Sequence, residues 1–302
     1  MAPNQFAQSF CTVADLIADM NAPGIDEAGL LQRIREASDY LQKEIGWFIP
    51  VTMTRKFHGH GREHLLVPPL LSVASIVNAD ITLLTTDYIL HPDGRFWSNG
   101  PYGEILPDPD SSVHLSTWED EEDGVEITGQ WGLYDRSLAT GATVQDAPQS
   151  AVQTSMQVTN GAQLSLGAVL LIESEQELVS GWATPIDSTA NLDGAITASD
   201  DVLKLTDATQ VHIGEVVRID LEQLKILDIH TTTKEASVVR GWNKTHAAAH
   251  LTSSDVYVYR TATVERGMNG TTAASHLQGT AISRYVVPDD VDGGFPFRVA
   301  ES

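Results

Sequence analysis

Two internal repeats interleave in the second half of this chain, and their order restricts the topologies open to it. The run Arg240-Gly241-Trp242-Asn243-Lys244-Thr245-His246-Ala247-Ala248-Ala249-His250 returns 26 positions later as Arg266-Gly267-Met268-Asn269-Gly270-Thr271-Thr272-Ala273-Ala274-Ser275-His276. An earlier repeat matches Val158-Thr159, Gly167, Ile172, Glu175-Gln176 and Val179 to Leu205-Thr206, Gly214, Ile219, Glu222-Gln223 and Ile226, at a constant offset of 47. Tandem duplication would order the halves front, back, front, back. The observed order is front, front, back, back, which arises when one copy sits inside a loop of the other. An outer unit is therefore assigned to 152–182 plus 261–287, and an inserted inner unit to 194–260. This nesting requires Val179 and Val264 to be neighbours.

Both units are expected to be β-rich, because short Val/Ile/Leu runs alternate with turn residues. Within the repeated stretch most shared residues have a local structural explanation. Gly241 and Gly267 suit a positive φ or a bulge, and Asn243 and Asn269 suit side-chain-stabilised turns. Thr245 and Thr271 suit capping of a short Ala-Ala turn that leads to His250 and His276. Arg240, Arg266 and the two histidines invite a catalytic or metal reading, but nothing else in the sequence converges on them. The stretch is expected to be structural, with no catalytic residue, no metal site and no cofactor.

The first half is organised differently. Thr12-Val13-Ala14-Asp15 is an acidic capping box that opens a short helix through Met20, and Asn21-Ala22-Pro23-Gly24 ends it. Asp26 is then an N-cap and Gly46 a C-cap around a longer helix. Leu30, Ile34, Ala37, Leu41 and Ile45, with Leu31 beside them, give that helix an apolar stripe. The stripe is expected to dock on the helix's own domain, with Leu30, Ile34 and Leu41 as candidates for contact with a neighbouring subunit. From Val51 to Trp131 strand-like runs follow: 51–57, 65–67, 70–77, 81–84, 88–90 and 125–131, with Pro68-Pro69 read as a turn. Residues 1–135 thus form a helical pair with a small antiparallel β domain, 136–151 a linker, and 288–302 a terminal arm. The fold class is α+β, with a mostly-β C-terminal half.

Net charge is −23, from 41 acidic against 18 basic residues. So negative a surface repels phosphates, which disfavours wrapping or reading nucleic acid. It suits either a channel through which DNA slides without sticking or adaptation to high salt. Met1-Ala2-Pro3-Asn4-Gln5 lacks the features of a secretion signal, and no apolar run is long enough to span a membrane. His58-Gly59-His60-Gly61-Arg62-Glu63-His64 is the most metal-like stretch, with three histidines on a glycine-rich turn. Because no zinc-spaced partner motif accompanies it, exposed hairpin histidines are expected there. The acidic run Trp118 to Gly124 lacks the ligand alternation of an EF-hand and is expected to be a solvated loop.

The N-terminal helices are followed by Phe57-x-Gly59-x-Gly61, Leu66-Val67-Pro68-Pro69-Leu70-Leu71-Ser72-Val73, Asp87-Tyr88-Ile89-Leu90 and Val125-Glu126-Ile127-Thr128-Gly129-Gln130-Trp131-Gly132. Over about residues 12–135 this resembles the head-to-tail connector (adaptor) proteins of tailed phages and of tailed archaeal viruses. The Glu-Gln plus Arg-Gly-x-Asn combination also looks like β modules appended to phage structural proteins, in which Gly commonly follows the Asn. Gly270 fits that pattern and Lys244 departs from it.

The resemblance implies a structural virion protein at the head–tail interface, in the host cytoplasm during assembly. It implies a homo-oligomeric ring, usually a dodecamer, seated on the portal protein and joined to tail or stopper proteins. DNA would pass through without specific binding, and no membrane is involved. The arm Phe295-Pro296-Phe297-Arg298 is expected to dock on the portal or an adjacent subunit. The alternatives are a tail or host-recognition protein that stacks a sugar on Trp182, Trp242 and Tyr259, and a hydrolase using His58, His60 and His64.

Overall fold

The computed structural model describes residues 6–20, 26–92, 101–111 and 113–286, so the arm at 288–302, with Phe295, Pro296, Phe297 and Arg298, lies outside the described residues. The protein is α+β, with two N-terminal helices and antiparallel sheets thereafter. Helix α1 (Val13–Met20) begins at the expected box: Thr12 N–H donates to Asp15 Oδ2 at 2.8 Å, and Asp15 N–H donates back to Thr12 Oγ1 at 3.3 Å. Helix α2 (Glu27–Ile45) begins where the Asp26 carboxylate accepts the Gly29 N–H, and ends at Gly46 with φ +85°. Among the described residues no helix is long and apolar enough to cross a membrane.

The first sheet contains β1 (Val51–Phe57), β2 (Leu65–Asn78), β3 (Ile81–Leu83), β4 (Tyr88–Pro92), β5 (Tyr102–Pro107) and β6 (Val125–Trp131). Its order is β1-β6-β2-β5-β4, with β3 paired to β2. Pro68-Pro69 is not a turn. The strand runs through it, with the register slipping between Leu66 and Leu70 where β2 passes from β5 to β6. Proline lacks the N–H a ladder needs, and a bulge is where a sheet tolerates that. Trp118, Trp131, Leu70, Ile76, Ile105 and Ile127 fill the core.

Residues 136–151 are not a linker. They open a second sheet as β7 (Ser137–Thr143), whose small side chains give a pairing strand a linker-like composition. The chain continues through β8 (Ser155–Gln157), β9 (Val169–Ile172) and β10 (Glu175–Trp182). It then leaves to build a third sheet: β11 (Ile186–Asn191), β12 (Val202–Lys204), β13 (Val216–Ile219), β14 (Glu222–His230), β15 (Glu235–Trp242) and β16 (Asp255–Val258). It returns as β17 (Thr261–Glu265) and β18 (Ala281–Tyr285) to complete the second. The orders are β7-β18-β9-β10-β17-β8 and β11-β16-β13-β14-β15-β12. Numbered within each unit, both follow the same path: first, sixth, third, fourth, fifth, second.

Single bridges, Val144 to Val158 and Leu192 to Leu205, join the two ends of each sheet. Each is thereby closed into a small barrel around its own apolar core, which leaves few unpaired edge groups. The inner barrel is inserted between the fourth and fifth strands of the outer one. Those strands, β10 and β17, still pair across the insertion, and Val179 sits opposite Val264.

The helical pair packs on the barrels rather than on the first sheet. Val13, Leu31 and Ile34 belong to the outer-barrel core, and Leu30 and Ile17 reach Val216 and Trp242 of the inner barrel. The buried line of α2 is Glu27, Leu31, Ile34 and Ser38, while Ala37 is exposed. Both polar members of that line are matched: Ser38 Oγ accepts the Phe10 N–H, and the Glu27 carboxylate accepts from Trp242 and Asn243. Of the subunit-contact candidates, Leu30 and Ile34 are thus committed inside the chain. Leu41, beside exposed Tyr40, remains at the surface.

Candidate functional site

The two repeats meet where Glu175-Gln176 and Glu222-Gln223 open the fourth strand of each barrel. Each Arg-Gly-x-Asn corner folds over the neighbouring Glu-Gln pair. Gly241 (φ +61°) and Gly267 (φ +60°) turn the chain left-handed, and Asn243 and Asn269 (both φ +53°) do so again. The two corners then carry out the same set of contacts.

In the inner barrel Arg240 grips Glu222 with Nε and Nη2, both at 2.7 Å. Gly241 N–H and Ala248 N–H donate to the same carboxylate at 3.0 Å, and His250 Nε2 lies 2.9 Å from it. The remaining Arg240 donors go to the carbonyls of Thr197, Asp200 and Ala248. In the outer barrel Arg266 grips Glu175 at 2.7 Å and 2.7 Å, with Gly267 N–H at 3.0 Å, Ala274 N–H at 2.8 Å and His276 Nε2 at 2.9 Å. The other histidine nitrogen meets Asp220 in one copy and Glu173 in the other.

Burial alone would raise the pKa of Glu222, but the Arg240, Ala248, His250 and Gly241 contacts outweigh it and hold it at about 2. The same balance lowers Glu175. A carboxylate so fully occupied has no lone pair left for a substrate. His250 and His276 are buried between carboxylates.

The threonines do not cap the Ala-Ala segment. Thr245 and Thr271 donate back to Trp242 and Met268 carbonyls, and each accepts the amide of the facing glutamine, Gln223 or Gln176.

The asparagines have a role that the sequence reading missed. Asn269 Nδ2 donates to Gln176 Oε1 at 2.7 Å and to the Ala7 carbonyl at 2.9 Å, while its Oδ1 accepts the Ala7 N–H at 2.8 Å. Asn243 Nδ2 donates to Gln223 Oε1 at 2.8 Å and to the Glu27 carboxylate at 3.2 Å, and its Oδ1 accepts the Glu27 N–H at 3.1 Å. Asn269 thus imitates a strand neighbour for the segment at Ala7, whereas Asn243 joins the amide and the carboxylate of Glu27 at the start of α2. Lys244 adds an ion pair to Asp26 at 2.8 Å.

Gly270, the residue at the equivalent place, lies under strand β1. A Cβ there would collide with the Thr52 carbonyl oxygen, and φ is +78°. The departure at Lys244 therefore follows what each corner faces.

The other candidate groups fall as follows. Glu175, Glu177 and His276 lie close enough to hold a metal ion, but the Arg266 guanidinium occupies that space, 2.7 Å from Glu175 and 2.8 Å from Glu177. His64 turns away from His58 and His60 to Glu104, at 2.6 Å. Its place beside them is taken by Asp120 of the acidic loop. Trp242 is buried and its indole N–H donates to Glu27, so the three aromatics form no exposed platform. Trp182 and Tyr259 do line an open cleft of about 810 Å³ between α2 and the two barrels. No family model, curated protein or solved structure matches the chain.

Proposed function

We propose that this chain is a non-enzymatic structural subunit of a tailed virus, a connector that forms a ring beneath the portal, continues the DNA channel and receives the tail. The observation that carries the reading is how the recurring polar residues are spent. Arg, Glu, His, Gln and Asn of both repeats are all consumed in joining one part of the chain to another. Such an arrangement yields a stiff body with its N-terminal helices clamped in place, as a load-transmitting ring subunit requires. It leaves no converging nucleophile, base and oxyanion donors around these residues.

Two further features support the reading. The strong negative charge lets DNA pass without adhering. The exposed Tyr40 and Leu41 on the distal half of α2 leave an apolar strip for a neighbour.

Native mass spectrometry and electron microscopy of the purified chain, alone and mixed with the portal protein, test the proposal. Rings, or co-assembly on the portal, are expected. A species that stays monomeric or trimeric and ignores the portal would overturn it, and a trimer would favour a receptor-binding protein.

A further inference from the structure

The turn between β1 and β2 and the acidic loop before β6 are pinned to one another. Trp118 N–H donates to the Arg62 carbonyl at 2.8 Å, and its indole N–H lies 3.1 Å from the Glu63 and Ile105 carbonyls. Glu119 N–H donates to Asn78 Oδ1 at 2.9 Å. Trp118 is itself buried, so Asp120, two residues on, is held in a defined place over the turn. On the turn, His60 adopts φ +55°, a left-handed conformation that a residue with a Cβ enters reluctantly. The result is that the His58 and His60 rings stack at 3.9 Å with 17° between their planes. One ligand atom from each of His58, His60 and Asp120 then lies within 4.8 Å of the others.

We propose that His58, His60 and Asp120 form a binding site for one divalent transition-metal ion of the zinc class, which staples the β1–β2 turn to the acidic loop. Two imidazoles and one carboxylate are a borderline nitrogen-rich set. It suits Zn²⁺, Co²⁺, Ni²⁺ or Cu²⁺, whereas Ca²⁺ and Mg²⁺ demand oxygen ligands. The fourth position faces solvent and takes water. Glu119, Glu121, Glu122 and Asp123 surround the loop with negative charge that concentrates divalent cations near it.

Loading requires the stacked rings to splay until both lone pairs meet at one ion, and His60 and Asp120 are exposed and able to turn. Nδ1 of His58 now accepts the His60 N–H at 3.0 Å, so the neutral ring carries its proton on Nε2. The metal takes the Nδ1 lone pair in exchange for that exposed hydrogen bond. This inference is independent of the connector reading, since it rests only on the first sheet.

The test is titration of the full-length, untagged chain with Co²⁺, followed by the visible absorption of the bound ion and by calorimetry, with Zn²⁺ as competitor. One Co²⁺ per chain is expected, displaced by equimolar Zn²⁺ and not by millimolar Ca²⁺. His58→Gln and Asp120→Asn should each weaken binding at least tenfold, with the fold intact by circular dichroism. His64→Gln, whose ring is held by Glu104, should bind as the parent does. Absence of stoichiometric uptake, displacement by Ca²⁺, indifference to His58→Gln or Asp120→Asn, or loss in His64→Gln would each overturn the proposal.

Discussion

Glu177 is a buried carboxylate that one barrel carries and the other does without. Its counterpart 47 positions later is Leu224, and its neighbour Gln149 corresponds in the same way to Ile196. Both leucine and glutamate side chains are fully buried at these equivalent places. Around Glu177 stand Arg266, Glu175, His276 and Gln149. Arg266 Nε is 2.8 Å away but aims its proton at Glu175, and Glu177 Oε1 accepts no hydrogen bond. Burial, reinforced by the charge of Glu175, pushes the Glu177 pKa from the 4.5 of a free glutamate to about 7, against the pull of Arg266.

A folded-state pKa above the unfolded one means that the folded protein prefers the protonated acid. Its contribution to stability is fully present below pH 4.5 and is lost as pH rises through about 7. At ~1.4 kcal/mol per tenfold change in proton affinity, the loss amounts to about 3 kcal/mol. Glu177→Leu, which copies the inner barrel, should therefore leave stability nearly unchanged at pH 5 and raise it by about 3 kcal/mol at pH 8. Urea unfolding followed by tryptophan fluorescence at both pH values measures the difference. A stability difference that does not change with pH, or a variant less stable than the parent at pH 8, would refute the reasoning.

Other outcomes follow from the corners and the charge. Asn269→Ala strands the buried Ala7 N–H and the Gln176 amide, and should cost about 2–4 kcal/mol and accelerate hydrogen exchange at residues 6–10; Asn243→Ala, whose partners are partly wet, should cost less. Gly270→Ala should destabilise by about 2 kcal/mol or more, from its left-handed φ and the collision with Thr52. Lys244→Gly at the equivalent exposed corner should be nearly neutral in thermal melts. If the acidity reflects a salt-rich source, the monomer should unfold by circular dichroism when salt is withdrawn; if it lines a channel, the monomer stays folded and only assembly changes with salt.

What the sequence discloses here is what is local or duplicated. The capping box at Thr12 and Asp15, the N-cap at Asp26 and the C-cap at Gly46 are each decided within a few residues, and the structure keeps all of them. The interleaved repeats carry long-range information because two copies of one topology were compared within one chain. Two strands escape a reading by apolar runs: in β5 Gly103, Glu104 and Pro107 interrupt Tyr102 and Ile105, and β7, Ser-Leu-Ala-Thr-Gly-Ala-Thr, has one large apolar residue. The apolar stripe of α2 runs from Leu30 to Ile45, yet the buried line runs from Glu27 to Ser38, and a buried glutamate or serine is invisible to hydrophobic periodicity. The third member of the histidine cluster, Asp120, lies some sixty positions from His58 and joins it through the fixing of Trp118 and Glu119.

The docking of the N-terminal segments was hidden for a more general reason. Asn269 recognises the amide and carbonyl of Ala7, and Asn243 recognises the amide of Glu27. The backbone groups of Ala7 leave no trace in side-chain composition, so that segment does not advertise its partner, whereas Glu27 also offers its carboxylate to Asn243 and Trp242. The corner does leave a trace, because its Asn must be left-handed, joined to a Gln, and next to a Glu anchored by Arg and His. Five residue types recur together because all five hold one amide at the angle where a passing backbone can pair with it. The repeat therefore recurs as a unit of adhesion. The residue after the Asn differs between copies since one corner is pressed against β1 and the other meets a charged helix start.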